Sequence, residues 1–232
     1  MLHQLIQRLS SRIPSQCAVC HAWPSQPVCE ACVVRFAQPE PRCLTCALPL
    51  PAGVKQCGEC LKHPPPLDAC VAAVAYVYPW SELIVGYKFN GHPGRAALFA
   101  LLLRSTPWVE PALDQAHLLV PMPLSKQRLQ ERGFNQTLLL ARHLAPDKTD
   151  AHLLLRIKDA PPQSRLNRRE RLHNVKDAFA IEPLCAHRLK GQRVVLVDDV
   201  MTSGASLYAA ASTLKAAGAS HVSAIVVART EF

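Results

Sequence analysis

The chain has no long apolar segment. Its longest strictly apolar run is ten residues, at 69–78, whereas a helix needs about 20 to span a bilayer. The first ten residues interleave Gln, His and Arg with Leu and Ile, so the uninterrupted apolar centre of a secretory signal peptide is missing. These absences exclude a membrane-spanning helix and argue against export. We therefore expect a soluble, cytoplasmic protein.

Acidic residues are scarce relative to basic ones. The 232 residues include 26 Lys and Arg against 17 Asp and Glu, a formal net charge of +9. Most of the excess is local, because residues 126–176 hold twelve basic and five acidic residues, a net of +7. Such density favours a polyanion, either a phosphorylated substrate or nucleic acid. No aromatic residue lies between Phe134 and Phe179, which weakens a base-stacking platform without excluding it.

No repeat of solenoid type is visible, and the composition changes part-way along the chain. Residues 17–60 hold eight of the ten cysteines and show little apolar periodicity. Three prolines at 64–66 follow, and they cannot join a helix or a central strand. We place a domain boundary there. It separates a module at 1–63, which begins with a short amphipathic helix, from a larger domain at 67–232.

Apolar stretches alternate with helical patterns through the larger domain. The stretch at 194–197 is apolar at every position, which indicates a strand covered on both faces. Predicted strands lie at 69–78, 117–120, 152–156, 193–198 and 221–228, and predicted helices at 81–89, 94–104, 134–144 and 206–217. This alternation is typical of a parallel α/β sheet with helices on its faces.

The N-terminal cysteines form four Cys-x2-Cys pairs. Each pair can place two thiolates on one tetrahedral ion, and four thiolates close a structural zinc site. A disulfide framework is the alternative, but disulfides do not persist in a reducing cytoplasm. We predict two structural Zn²⁺ sites, in consecutive quartets or as an interleaved cross-brace, in a module that is unfolded without zinc and is structural or docks a partner. The predicted ligands are Cys17, Cys20, Cys29, Cys32, Cys43, Cys46, Cys57 and Cys60.

The most informative segment runs from a buried strand through two carboxylates into a hydroxyl-rich turn with one glycine. Backbone N–H groups of such a turn, and of the helix that follows, bind phosphate. The carboxylates would repel that ligand unless they bind another part of it, and the 2- and 3-hydroxyls of a ribose are such a part. The alternative is a plain strand followed by an N-cap serine. The segment comprises Asp198, Asp199, Val200, Met201, Thr202, Ser203, Gly204, Ala205 and Ser206.

These residues resemble the ribose-phosphate-binding signature of type I phosphoribosyltransferases, with Ser203 and Ser206 where threonine is usual. Five other segments resemble the ComF family of competence-related proteins, and together with the cysteine module the likeness covers nearly the whole chain. They lie at 87–91, 120–124, 128–136, 163–166 and 171–175. The resemblance implies a mainly parallel five-stranded sheet flanked by helices, a zinc-ribbon module, and a ligand at the carboxyl ends of the strands.

The resemblance also implies roles for individual residues. Asp198 and Asp199 would bind the ribose diol of phosphoribosyl pyrophosphate, and residues 202–206 its 5-phosphate. A pyrophosphate loop would comprise Pro121, Met122, Pro123 and Leu124. A flexible loop at 158–176 would close over the substrate, and its cations would either neutralise the diphosphate and Mg²⁺ or grip single-stranded nucleic acid. Those cations are Lys158, Arg165, Arg168, Arg169 and Arg171.

Two hypotheses about function follow. The first is a protein that binds phosphoribosyl pyrophosphate with Mg²⁺ and transfers ribosyl phosphate to a nitrogen acceptor by means of positioned donors and metal, since no dedicated nucleophile stands out. The second is a non-catalytic scaffold for nucleotides or single-stranded DNA in natural transformation. The ComF resemblance implies single-stranded DNA and recombination or replication proteins as its partners.

Overall fold

The computed structural model describes residues 15–89, 91–158 and 177–231. By contacts within the chain it divides into two compact units, Met1–Gln38 and Pro39–Phe232. This division lies before the proline run, so the second half of the cysteine-rich segment belongs to the larger unit. Independent folding of 1–63 and 67–232 stays a prediction.

Helices and strands alternate through the larger unit. The smaller unit contributes helix α1, Glu30–Phe36. The helices of the larger unit are α2 Gly58–Lys62, α3 Trp80–Phe89, α4 Arg95–Arg104, α5 Val109–Gln115, α6 Lys126–Arg132, α7 Gln136–Leu144 and α8 Ala205–Ala216, with 3-10 helices at Pro146–Lys148 and Pro183–Leu189. Its strands are β1 Ala69–Ala75, β2 Leu118–Pro121, β3 Leu154–Arg156, β4 Phe179–Ile181, β5 Arg193–Met201 and β6 His221–Arg229. Among the described helices, none combines the length and the apolar character that crossing a membrane requires.

Four parallel strands form the central sheet, in the order β1-β6-β5-β2. The predicted parallel sheet flanked by helices is confirmed. Five strands were expected, but the sheet has four in the described part of the chain. Next to β2, where a fifth would lie, Thr149 makes a single parallel bridge with Leu119.

The segment predicted as a strand at 152–156 lies outside the central sheet. Its last three residues, β3, pair antiparallel with β4 in a separate two-stranded sheet. The Asp150 carboxylate accepts the backbone N–H groups of His152 at 3.0 Å and Leu153 at 3.2 Å. This side-chain turn redirects the backbone immediately after the bridge at Thr149, which explains why the strand leaves the sheet.

Both faces of the sheet are covered. Val222, Ala224 and Val226 of β6 share one apolar cluster with α8 and with the second half of the cysteine-rich segment. The intervening residues Ile225 and Val227 are also fully buried, and because neighbouring strand residues point to opposite faces they lie on the side where α4 and α7 pack. The continuous apolar runs therefore match strands with two buried faces.

The chain connections indicate that a ligand would bind at the carboxyl ends of β2 and β5. From β5 the chain passes through α8 to β6 on one side, and from β2 it passes through α7 to the bridge at Thr149 on the other. In open parallel sheets, ligands bind where such connections diverge. The last residue pair between β2 and β5 is Pro121 with Val197, and β5 continues to Met201. The residues predicted to bind the ligand begin at that point.

Candidate functional site

The eight N-terminal cysteines form two groups of four, and each group takes consecutive pairs along the chain. Within each group the sulfur atoms all lie within 4.8 Å of one another. The Sγ atoms of Cys20 and Cys29 are 3.6 Å apart, and those of Cys46 and Cys57 are 3.7 Å apart. A tetrahedral ion with Zn–S bonds of about 2.3 Å requires sulfurs about 3.8 Å apart. Each group therefore fits one metal ion, in the consecutive arrangement and not the cross-brace.

Hydrogen bonds and burial shift the pKa values of thiols in the second group, which comprises Cys43, Cys46, Cys57 and Cys60. Burial raises the pKa of the Cys43 thiol, but the backbone N–H groups of Cys57 and Cys46 outweigh burial and bring the pKa to about 7. Burial, followed by the sulfur atoms of Cys57 and Cys46, raises the pKa of Cys60 above its usual range. The pKa of one thiol is therefore lowered and that of another raised within this group, and a bound metal ion would favour the thiolate form of both.

The predicted phosphate loop ends β5 and begins α8. Asp198 and residues 200–207 line a small cleft of about 40 Å³. Gly204 lies in the left-handed region at φ +80°, and a Cβ atom there would stand 2.6 Å from Met201 Cε and 2.7 Å from the Tyr208 ring. Only glycine fits this turn without displacing its neighbours. The turn leads directly into the first N–H groups of α8, which have no helical partners.

The two aspartates have different partners. Asp198 lines the cleft, and its carboxylate accepts the backbone N–H of Asp199 at 2.9 Å. Asp199 is 7% exposed and forms an ion pair with Lys88, whose Nζ lies 2.8 Å from Oδ1. Burial, and then the Asp199 carboxylate, raise the pKa of Asp198 to about 7, although Lys88 and Arg132 offset part of this rise. Among the described residues Asp198 is in no ion pair, so a ligand that brings a cation would favour its ionised form.

Lys88 and Arg132 were given no role from sequence, yet both lie beside the acid pair. They are held by Gln136, which is fully buried. Its Nε2 donates to the Lys88 carbonyl at 3.4 Å, and its Oε1 accepts from Arg132 Nη1 at 3.1 Å. The Tyr87 hydroxyl donates to the Gln136 carbonyl at 2.7 Å. The segments 87–91 and 128–136, noted only as family-like, therefore meet at this site.

The Arg132 guanidinium has an N–H donor that is not used within the described residues. The guanidinium lies 4.8 Å from the centre of the Phe89 ring, and the charges of Asp199 and Asp198 both act on it. Its Nε is buried and has no hydrogen-bond partner among the described residues. A buried donor without a partner is costly, so a ligand oxygen at this position would relieve the cost.

The predicted pyrophosphate loop offers fewer backbone donors than expected. Pro121 and Pro123 have no N–H, and the Met122 N–H donates to the Val197 carbonyl at 2.9 Å within the sheet. Leu124 is left as the residue of this loop that can offer an N–H to a ligand. The role of these four residues stays a prediction, and it now depends on Leu124 and on the α6 side chains that follow.

The predicted flexible-loop cations fall mostly outside the described residues. Lys158 is described, and its Nζ lies 4.0 Å from Asp177 Oδ2, with both side chains well exposed. The four arginines lie outside the described ranges and are Arg165, Arg168, Arg169 and Arg171. Their role stays a prediction.

The raised pKa of Asp198 predicts a pH-dependent stability. Its ordinary value is 3.8 and its value in the fold is about 7, so the folded state holds a proton that the unfolded state loses first. This contribution is fully present below pH 3.8 and is lost as the pH rises through about 7. The unfolding free energy of the wild type should fall between pH 5 and pH 8. We expect this fall to be smaller by about 2 to 4 kcal/mol in Asp198→Asn, as measured by urea titration at each pH. An identical fall in both proteins would contradict this assignment.

Known proteins resemble this chain both in one domain and along most of its length. Residues 161–231 match the family described as "Phosphoribosyl transferase domain". The chain is 30% identical to "Competence protein F" of Haemophilus influenzae over 198 aligned residues. The alignment covers 82% of this chain and 85% of that protein. The chain belongs to the ComF family. This ComF-family protein is also 32% identical over 232 residues to "DNA utilization protein YhgH" of Salmonella typhimurium, covering 94% of this chain and 98% of that protein.

A further relative is "Competence protein ComFC" of Bacillus subtilis, which is 38% identical over 150 residues, covering 64% of this chain and 59% of that protein. The resemblance stated from the motifs is therefore confirmed. So is the phosphoribosyltransferase-type fold of the larger unit, with the four-cysteine groups toward the N-terminus.

Proposed function

We propose that this ComF-family protein binds phosphoribosyl pyrophosphate with Mg²⁺ at the carboxyl ends of β2 and β5, and that it acts in the uptake or use of foreign DNA. The observation that carries the ligand proposal is the acid pair and the Gly204 turn at the point where the chain connections diverge. The DNA role rests on the names of the relatives, which refer to DNA utilization and competence. We place the protein in the cytoplasm, where its thiols stay reduced.

The cleft supports this ligand group by group. The turn at 202–206 would bind the 5-phosphate through its N–H groups and hydroxyls. Asp198 and Asp199 would accept hydrogen bonds from the ribose diol. Lys88 and the free donor on Arg132 lie beside these carboxylates, so their charges would be available to the diphosphate.

Two metals belong to the proposal. We assign structural zinc to the two four-cysteine groups because their sulfur spacing fits one tetrahedral ion each. Mg²⁺, when bound with the ligand, supplies charge that neutralises the leaving diphosphate. The raised pKa of Asp198 supports a cation at that place.

Transfer of the ribosyl phosphate is the reaction that such a complex would support. The bond between sugar C1 and the diphosphate oxygen breaks, pyrophosphate leaves with that electron pair, and a nitrogen lone pair of the acceptor forms the new bond to C1. The carboxylate pair would stabilise the positive charge that develops on the sugar. Release of pyrophosphate, measured against a panel of free bases and nucleotides, would identify the acceptor.

Calorimetric titration with phosphoribosyl pyrophosphate and Mg²⁺ tests the binding proposal. We expect the double variant Asp198→Asn, Asp199→Asn to lose affinity by about 100-fold or more, because two charge-assisted hydrogen bonds are removed. Asp147→Asn is the matched control, since Asp147 is exposed and lies outside the cleft. A wild-type protein that fails to bind this ligand would refute the proposal.

The second candidate is a scaffold that binds single-stranded DNA without catalysis. It is favoured by the net charge of +7 over residues 126–176 and by the relatives' names. Binding of a fluorescent oligonucleotide should then weaken steeply with salt and should survive in the double aspartate variant. DNA binding with no phosphoribosyl pyrophosphate binding would favour this candidate alone.

A further inference from the structure

The second four-cysteine group is packed into the core of the larger unit. Cys43 is fully buried and Cys46 is 3% exposed, and both belong to the apolar cluster that includes β5, β6 and α8. The backbone of this group also joins the edge of the sheet, because the N–H of Cys70 in β1 donates to the Leu44 carbonyl at 2.8 Å. The position of this group is therefore fixed relative to the strands that carry the phosphate loop.

One buried arginine connects this cysteine group to the phosphate loop. Arg229 ends β6 and is 4% exposed. Its Nε donates to the Cys46 carbonyl at 2.8 Å, and its Nη1 donates to the carbonyls of Met201 at 3.1 Å and Thr202 at 2.5 Å. The Thr230 carbonyl also lies 2.7 Å from Nη1, so the two hydrogens of Nη1 are shared among these three carbonyls. A single guanidinium thus holds a carbonyl of a cysteine ligand and two carbonyls at the start of the loop.

The planar fork of arginine makes this connection rigid. Its N–H groups have fixed directions, so a displacement of one carbonyl misaligns the bonds to the others. Among the described residues, the ion pairs do not include Arg229. Its charge is held by carbonyl oxygens, and Nε has the Cys46 carbonyl as its partner, so loss of that bond would leave a buried charged donor without a partner.

Both apolar packing and a cavity lie between the cysteine group and the loop helix. Cys43, Cys46 and Cys60 share the core cluster with Ala205 and Leu207 of α8, and a cavity of about 530 Å³ is lined by Cys60 of α2 and by Tyr208 and Ser212 of α8. A further contact near the loop is between Cys70 Sγ and Met201 Sδ, at 3.6 Å, and sulfur atoms are weak hydrogen-bonding partners. Apolar packing is not directional, whereas the hydrogen bonds of Arg229 join the Cys46 carbonyl to the carbonyls of Met201 and Thr202.

We propose that Arg229 is a positioning residue through which metal binding at the second four-cysteine group orders the phosphate loop. A metal ion on Cys46 fixes the carbonyl of that residue, the carbonyl fixes the guanidinium, and the guanidinium fixes Met201 and Thr202. The proposal rests on the proposed function, since it takes the cysteine group as a metal site and the loop as the phosphate site. Loss of that metal would then impair ligand binding at a distance.

Hydrogen exchange of the loop tests this without any ligand. In the zinc-loaded protein, we expect amides of 198–206 to exchange about tenfold faster or more in Arg229→Met, because charged hydrogen bonds to the loop carbonyls are lost. Amides of α7 should be unchanged, which separates a local effect from general destabilisation. Should Arg229→Met fail to fold, Arg229→Lys keeps the charge and loses the fork, and it should show the same effect in smaller degree.

The two cysteine groups provide a matched pair of variants. We expect Cys46→Ser, Cys57→Ser to release one zinc ion per chain and to speed exchange of the loop as Arg229→Met does. Cys20→Ser, Cys32→Ser should also release one zinc ion, but from the other compact unit, with loop exchange as in the wild type. Adding Arg229→Lys to the first pair should change loop exchange little further.

Three results would overturn the proposal: unchanged loop exchange in Arg229→Met, equal acceleration across α7 and the loop, or equal effects of the two cysteine pairs. Titration with phosphoribosyl pyrophosphate and Mg²⁺ is performed separately on each variant. Suppose that the wild type fails to bind phosphoribosyl pyrophosphate while substitution of Arg229 or of the second cysteine group still speeds hydrogen exchange of the loop. The proposed function is then wrong, and the proposed role of Arg229 is retained.

Discussion

Gly204→Ala is expected to weaken binding of phosphoribosyl pyrophosphate by about tenfold to a hundredfold, because a small displacement of positioned groups has effects of that size. The new Cβ would lie under 3 Å from Met201 and from the Tyr208 ring. Either these side-chain ends or the turn must then shift, and the left-handed conformation of residue 204 is strained in both cases. Calorimetric titration with Mg²⁺ present measures the effect.

Gly191→Ala separates this effect from ordinary backbone strain. Gly191 also has a positive φ, +73°, but a Cβ there would meet no atom within 4 Å. Both variants should lose about 1 to 2 kcal/mol of unfolding free energy from the left-handed conformation, whereas only Gly204→Ala should lose ligand affinity. Equal affinities in the two variants would mean that the turn at Gly204 does not contact the ligand.

Removal of zinc is expected to unfold the cysteine-rich segment. Structural zinc sites of this kind contribute about 10 kcal/mol or more to folding. The described part of the smaller unit has little else to hold it, because Cys17 and Cys32 are its buried apolar residues. A strong chelator should release two zinc ions per chain, measured by atomic emission, and should open residues 15–38 to limited proteolysis.

The parallel sheet should outlast this treatment, with its helical and strand signal in circular dichroism largely kept. Adding Zn²⁺ back should restore protease resistance, whereas Mg²⁺, which prefers oxygen ligands, should not. A protein that is purified without zinc and still resists proteases at 15–38 would show that the cysteine groups do not depend on metal.

The strands were predictable wherever burial is two-sided and continuous. β5 was expected to stop at residue 198 because two aspartates interrupt the apolar run. It continues to Met201, since backbone pairing with β6 persists through Val200 and Met201. Ladder hydrogen bonds do not depend on side-chain polarity, so hydropathy alone places the end of this strand too early.

Four of the described α-helices were not predicted. Two lie in the cysteine-rich segment, α1 and α2, and two lie beyond it, α5 and α6. α6 has no buried residue, so it lacks the apolar stripe that periodicity detects. It forms because Ser125 caps its N-terminus, with Oγ accepting the Arg128 N–H at 3.3 Å, and Gly133 closes it in the left-handed region. α5 contains Pro111 and spans seven residues, too few for a clear pattern.

The strand, turn and helix of the predicted phosphate loop could be located from sequence because they are contiguous. The partners of the loop could not: Lys88, Arg132 and Gln136 come from three different helices, and Arg229 from the end of another strand. Their chemistry appears only when the fold brings them together. The signal available beforehand was that the first three fall within segments already noted as family-like.

The ion pair between Lys88 and Asp199 means that the acid pair already has a resident counter-ion. A magnesium-bearing ligand would not enter an empty negative site; it would exchange with an ammonium group tethered to α3. Such an exchange changes the local charge little. The free energy of binding then depends on whether the displaced Lys88 ammonium group gains a new anionic partner. If the protein binds phosphoribosyl pyrophosphate as proposed, Lys88 would compete with the ligand for Asp199 before binding and would contact its phosphates afterwards.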